Sequence, residues 1–328
     1  MSVQTSSVIK VLAAWLLGLL LVIAGAITAV VVANSFIFSP EEQVHDYLEA
    51  LSNGDGERAL GLLNASVPAA NAAMLDGAPL QQSAAAVEDV VVGDAVPVGD
   101  NRADVTVTYT VRGTEHATTF PLERTGAEWL FFDTWELVPT MLPTVDLTVI
   151  NQGEATLNDT RVAMPEGRNQ FAVFYPGSFE AHYTSDYFAA PAQTVAVTER
   201  SEGHQMALST AATDVLVEEV TAQVRRFLDE CAAQTVFQPA NCPFNFQTES
   251  RVAGDIRWAI TEYPTVAIEP FDGSWEIEPL SGTAELTTSL QDLFTGTIEA
   301  VTVPREFGFT ARLSVDGDDV TVTPVVQY

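Results

Sequence analysis

The longest almost entirely apolar stretch in the chain, Val11 to Ala33, contains no ionisable side chain, and the first acid beyond it is Glu41. As a helix its 23 residues span about 35 Å, enough for a hydrocarbon core of about 30 Å with modest tilt. Within lipid only a helix satisfies so many consecutive backbone amides internally. Residues 11–33 are therefore expected to be a transmembrane helix. A cleavable signal peptide is the competing expectation, because Val31-Val32-Ala33 resembles a small-residue cleavage site. The run is longer than the roughly 7–15 residues of a signal core, which favours an uncleaved anchor. Lys10 precedes the span, whereas Glu41, Glu42, Asp46 and Glu49 follow it. Basic flanks stay cytoplasmic, so residues 1–10 are expected to form a cytoplasmic tail and the C-terminal bulk to be extracytoplasmic.

After the span the period changes. Ser39-Pro40-Glu41-Glu42 reads as a helix start, with a capping serine, proline at the first helical position and acids at the positive helix end. Val44, Tyr47, Leu48 and Leu51 follow at helical spacing, and Asn53-Gly54-Asp55-Gly56 stops the helix. A second short helix carries Ala59, Leu60, Leu62 and Leu63. Period-two runs then cover Val87 to Val92, Asp104 to Val111, His116 to Leu122 and Trp129 to Leu137, with Gly113 and Gly126 as turn residues. Helices followed by an antiparallel meander predict an α+β domain over residues 40–138.

Pro139 and Pro143 flank a linker, and short strands with polar turns follow. Phe171 to Tyr175, Phe179 to Tyr183 and Thr194 to Thr198 join the strand of VDLTVINQGEATLNDTRVAM, which predicts a small all-β sandwich over residues 144–200. From residue 210 the helix-then-sheet order returns. Val215 to Ala233 sets Val217, Val220, Val224, Phe227 and Leu228 on one face, and its VRRFLDEC echoes VHDYLEAL at Val44 to Leu51. Seven strands are expected after it: Ile256 to Thr261, Thr265 to Glu269, Ser274 to Glu278, Ala284 to Ser289, Thr297 to Val303, Phe307 to Val315 and Val320 to Val326. Residues 210–328 are thus expected to be a second helix-on-sheet domain.

Charge and cysteine content refine the address. All 44 acidic residues follow the span, the only lysine is Lys10, and the net charge is −30. Such a field disfavours nucleic acid and anionic lipid as partners. It suits cationic peptides, divalent ions or basic protein faces, and it also keeps a surface soluble. In an oxidising compartment Cys231 and Cys242 are expected to form a disulfide.

Three phrases, EEQVHDYLEALSNGDGERALGLL, ADVTVTYTVRGTEHATTFPLERTG and EWLFFDTWEL, resemble the nuclear-transport-factor-2-like cone fold, especially lumazine-binding-like domains that follow bacterial membrane anchors. That resemblance implies helices on a curved sheet around a conical cavity. YPGSFEAHYTSDYF is similar to PEGA-type surface modules. The whole order is similar to the teicoplanin-resistance-associated membrane proteins, which join an anchor to cone-like and small β modules outside the cell.

Candidate chemistry is sparse. His45, His116, His182 and His204 are scattered, without ligand partners at metal spacing, and no nucleophile elbow, phosphate loop, dinucleotide fingerprint or zinc-protease motif occurs. Alternation puts Asp133 on one strand face with Trp129, Phe131 and Trp135, and Trp129, Asp133 and Trp135 make a speculative pocket in which a carboxyl among aromatics could do acid–base work. Asp133 at a rim or in a turn is the plainer expectation. Asp316, Asp318 and Asp319 read as an Asp-Gly hairpin rather than a calcium loop. The cluster Phe171, Phe174, Tyr175, Phe179, Tyr183, Tyr187 and Phe188 reads as sandwich core, with a ligand or partner face as the alternative. No catalytic, metal or cofactor residues are expected. The expected role is a non-enzymatic single-pass cell-envelope protein that binds another membrane or envelope protein or a wall component, with the bilayer met through the N-terminal helix. A small-molecule sensor using the cone is the second expectation, and an enzyme the third.

Overall fold

The computed structural model describes residues 4–36, 38–128, 132–199 and 203–326. Its first element, α1 (Gln4–Phe36), contains the stretch Lys10–Asn34, which is long and apolar enough to cross a bilayer and is largely exposed. Such a helix serves as a membrane anchor or as a signal sequence. The rest of the chain is mostly β-sheet with a few helices.

Helix α2 (Pro40–Asn53) begins and ends where the sequence signals lie, with Gly54 at φ +70° closing it. Helix α3 (Gly56–Leu62) starts at a glycine for a steric reason: a Cβ on Gly56 would lie 1.8 Å from the Leu75 carbonyl oxygen. Strand β1 (Ala65–Ser66) and helix α4 (Gly77–Ala85) follow. Helix α4 escapes the hydrophobic pattern because it buries only Leu80 and Ser83. The meander is β2 (Glu88–Val92), β3 (Val96–Pro97), β4 (Arg102–Val111), β5 (Thr114–Glu128), β6 (Phe132–Leu137) and, after a bend, β7 (Thr140–Met141). It pairs antiparallel in the order β2-β4-β5-β6, with β3 also on β4 and β1 beside β7. Gly113, at φ +76°, makes the β4–β5 turn as expected. Gly126 does not make a turn: it sits inside β5, where the register slips between Arg124 and Gly126, so the strand bulges and continues.

Two sheets come next. Strands β8 (Thr144–Val149), β9 (Glu154–Leu157), β10 (Thr160–Ala163), β11 (Arg168–Ala172), β12 (Gly177–Thr184), β13 (Phe188–Val197), β14 (Gly203–Leu208) and β15 (Ala211–Ala212) form sheets ordered β10-β9-β12-β13-β15 and β11-β8-β14. The pairing runs past residue 200, the expected limit, because β14 lies parallel to β8 and β15 closes on β13. Val145 and Leu147 of β8, Phe171 of β11 and Phe179 of β12 are fully buried. At the β9–β10 turn Asn158 and Asp159 both have positive φ, 44° and 54°. The buried Asn158 amide donates to the carbonyls of Pro79 and Ser178, and its Oδ1 accepts from the Glu180 amide at 2.8 Å.

Helix α5 (Asp214–Ala232) is capped by Thr213 and buries Leu216, Val220, Val224, Leu228 and Cys231. Beyond it lie β16 (Arg251–Val252), β17 (Arg257–Glu262), β18 (Ile268–Phe271), β19 (Ser274–Ile277), β20 (Leu280–Gln291), β21 (Ile298–Asp316) and β22 (Asp319–Val325). They pair as β16-β20-β21-β22, with β17 also on β20 and β18 on β19. The two strands expected either side of Pro304 are one 19-residue strand. Proline is accommodated because β22 pairs only with Thr310–Asp316, leaving the outer side of β21 an open edge at Pro304. Cys231 and Cys242 are bonded, with 5.7 Å between their Cα atoms, and tie the end of α5 to the loop before β16.

Buried side chains from all three stretches form one continuous core. The Asn71 amide and carbonyl bond to Gln170 and Ala172, joining the first stretch to the second. Phe188 of β13 stacks on Trp275 of β19 with 4.5 Å between ring centroids, joining the second to the third.

Candidate functional site

The Phe188–Trp275 stack floors a cleft of about 600 Å³. Three turns, with parts of β19 and β21, build it. Tyr183 ends its run on β12, and Ser185-Asp186-Tyr187 turns the chain into β13. The Ser185 hydroxyl accepts from the Phe188 amide at 3.0 Å, and Thr213 Oγ1 donates to the Asp186 carbonyl at 2.6 Å, which fixes that turn. Asn151, at φ 52° in the β8–β9 turn, donates through Nδ2 to the Ser274 carbonyl at 2.7 Å. The Tyr187 hydroxyl donates to the Asp318 carbonyl at 2.9 Å, holding the β21–β22 turn against the β12–β13 turn. Gly317, at φ +59°, makes that last turn, so Asp316 and Asp319 are register partners of a hairpin.

The walls therefore offer aromatic rings, amide and hydroxyl groups, and the exposed carboxylates of Asp186 and Asp318. None of the lining residues is lysine, arginine or histidine. The volume falls within the roughly 300–1,000 Å³ typical of ligand sites. The aromatic cluster read from the sequence divides here. Phe171, Phe174, Tyr175 and Phe179 lie in the core, while Tyr183, Tyr187 and Phe188 reach the cleft. Trp275 and Asp186 carried no sequence signal beyond an ordinary strand and an ordinary turn.

The speculative pocket falls elsewhere. Trp129 and Phe131 lie outside the described residues. Asp133 is half-buried on β6, with its carboxylate 3.5 Å from the Arg124 guanidinium, an ion pair rather than a lone carboxyl among rings. Its amide donates to Asn34 Oδ1 at 3.3 Å, and the neighbouring Phe132 stacks on Phe38 with centroids 4.8 Å apart. This end of β6 thus meets the end of α1. Trp135, two pairs further along, packs against the core beside the buried Leu122–Leu137 pair. Neither Asp133 nor Trp135 lines the cleft.

Other titratable groups serve the fold. Burial pushes the Tyr47 hydroxyl well above its usual range, so it remains a donor to the Tyr175 carbonyl. Burial likewise raises Tyr109, helped by the charge of Glu199 and opposed by the Thr118 hydroxyl. Burial works to raise the Glu41 carboxyl, but bonds from the Ala95 and Glu41 amides and the Ser39 hydroxyl, with the charge of His45, outweigh it and leave it below the usual carboxylate value. Of the four histidines, His45 is exposed, while His204 holds a buried Nε2 without a hydrogen-bond partner among the described residues. Among these residues no three His, Cys, Asp or Glu side chains gather as a metal site.

Comparison with family models, with curated proteins and with solved structures yields no match. The functional reading therefore rests on the cleft and the apolar helix.

Proposed function

We propose that this chain is a single-span cell-envelope protein, anchored by residues 11–33, whose extracytoplasmic modules recognise a protein partner or wall component without catalysing a reaction. The observation that carries the reading is the cleft between the β12–β13 turn and the β21–β22 hairpin, where stacked rings and fixed turns present hydrogen-bonding groups to solvent. Stacking faces with a few placed polar groups are the equipment of recognition. Export is supported by the apolar helix that follows Lys10, the strong excess of acidic over basic residues after it and the disulfide. Resemblance to cone-like and PEGA-type modules supports the same role, as does the order of α2 and α3 before the β2–β6 meander.

The anchor is tested by expressing the full chain with a C-terminal epitope, extracting membranes with alkaline carbonate and weighing the retained protein. Retention at full mass is expected. A soluble product shortened by the mass of the apolar helix identifies a cleaved signal and removes the anchor.

A further inference from the structure

We propose that the cleft at Trp275 takes a cationic ligand, namely the ammonium or guanidinium side chain of a short peptide segment. The inference rests on the reading of this cleft as a recognition site and names its ligand class. Asp186 and Asp318 bring carboxylates to it from two different turns, and no lysine, arginine or histidine lines it. The backbone on both sides is already committed: the Asp186 carbonyl accepts from Thr213 and the Asp318 carbonyl from Tyr187, which leaves the two side chains in solvent as the charged features of the walls. The same walls include the rings of Tyr187 and Trp275, each half-buried, with Trp275 stacked on Phe188. An aromatic face draws a cation through its quadrupole, and tryptophan does so best.

Competing chemistries fit less well. A phosphate or carboxylate ligand would meet two like charges and no counter-charge. A wholly apolar ligand would cover carboxylates, amides and hydroxyls without pairing them. The net charge of −30 draws cations towards the whole surface, which raises the encounter rate without choosing a site.

Calorimetry on the full chain in neutral detergent, with three probes, tests this. The probes are a capped Ala-Lys-Ala peptide, the same peptide with its lysine Nε-acetylated, and a neutral trisaccharide of N-acetylglucosamine. Expected is binding of the lysine peptide alone, weakening as salt rises. Asp186→Asn with Asp318→Asn should weaken it by about three- to tenfold, since two exposed pairs are lost. Trp275→Leu should weaken it further, with a melting-temperature control to show that the fold is kept. Lysine-peptide affinity unchanged in the double aspartate variant, equal binding of the acetylated peptide, or binding of neither peptide would each overturn the cationic inference. Trisaccharide binding lost with Trp275→Leu would overturn it too, yet keep the cleft as a recognition site. Silence from all three probes counts against both.

Discussion

The Tyr47 hydroxyl donates to the Tyr175 carbonyl at 2.6 Å, a fully buried bond between α2 and the segment leading into β12. The same ring meets Phe120 and Phe174 edge-on, at 5.7 and 6.4 Å between centroids. One residue on a helix thereby ties the first sheet to the segment that leads into β12. Tyr47→Phe keeps the ring contacts and removes only the donor, so a loss of about 1–2 kcal/mol is expected in thermal or denaturant unfolding. Tyr47→Ala also opens a cavity and should cost about 3–5 kcal/mol. Equal effects of the two substitutions would show that the hydroxyl carries the junction and the ring little.

Asn158 is a second fastening. Its amide bridges α4 and β12 while its backbone adopts a conformation that asparagine tolerates better than most residues. Asn158→Ala should destabilise by about 1–3 kcal/mol, because buried carbonyls lose donors and the positive φ becomes costlier. Urea unfolding measures it, and a change within error would mean that the β9–β10 turn is held by its strands alone.

The Cys231–Cys242 bond closes a short loop, so its removal should act chiefly through the unfolded chain, at about 3 kcal/mol on the loop-entropy estimate. Cys231→Ser with Cys242→Ser, compared with the wild type in the presence and absence of reductant, reads that difference. The double variant should not respond to reductant at all.

Glu41 lies at the start of α2 and accepts from the Ala95 amide at 2.7 Å. Its carboxyl is held below the ordinary value of 4.5, so the charged form is favoured in the folded state. The stabilisation is then complete above that ordinary value and is lost as pH falls through the lower folded value. Stability curves of wild type and Glu41→Gln should differ at neutral pH and converge on acidification. A gap that stays constant with pH would assign the effect to shape rather than charge.

Much of this architecture is legible in the chain, and the misses have physical causes. Helix α2 announces itself through Pro40 at its start, Gly54 at its end and an apolar stripe between, and every one of these features appears in the structure. Strand β21 reads as two because proline forbids a ladder bond, and only the pairing of β22 reveals that Pro304 stands at an open edge. Gly126 reads as a turn because a bulge and a turn ask the same freedom of the backbone. Strands β14 and β15 extend the two middle sheets through pairings with β8 and β13, more than 20 positions away for β15 and more than 50 for β14, which no local pattern encodes. The cleft is the least legible feature. Asn151, Asp186 and Asp318 come from three turns and Trp275 from strand β19, and only the folded chain brings them to one cleft.

The deciding property of this protein is the side of a membrane on which its bulk lies. Protease applied to sealed right-side-out membrane vesicles containing the full chain, with an antibody to a C-terminal epitope, measures that directly. The predicted result is loss of the epitope before the vesicles are opened, with α1 retained in the membrane. An epitope that survives until detergent is added would place the acidic bulk inside and contradict the account.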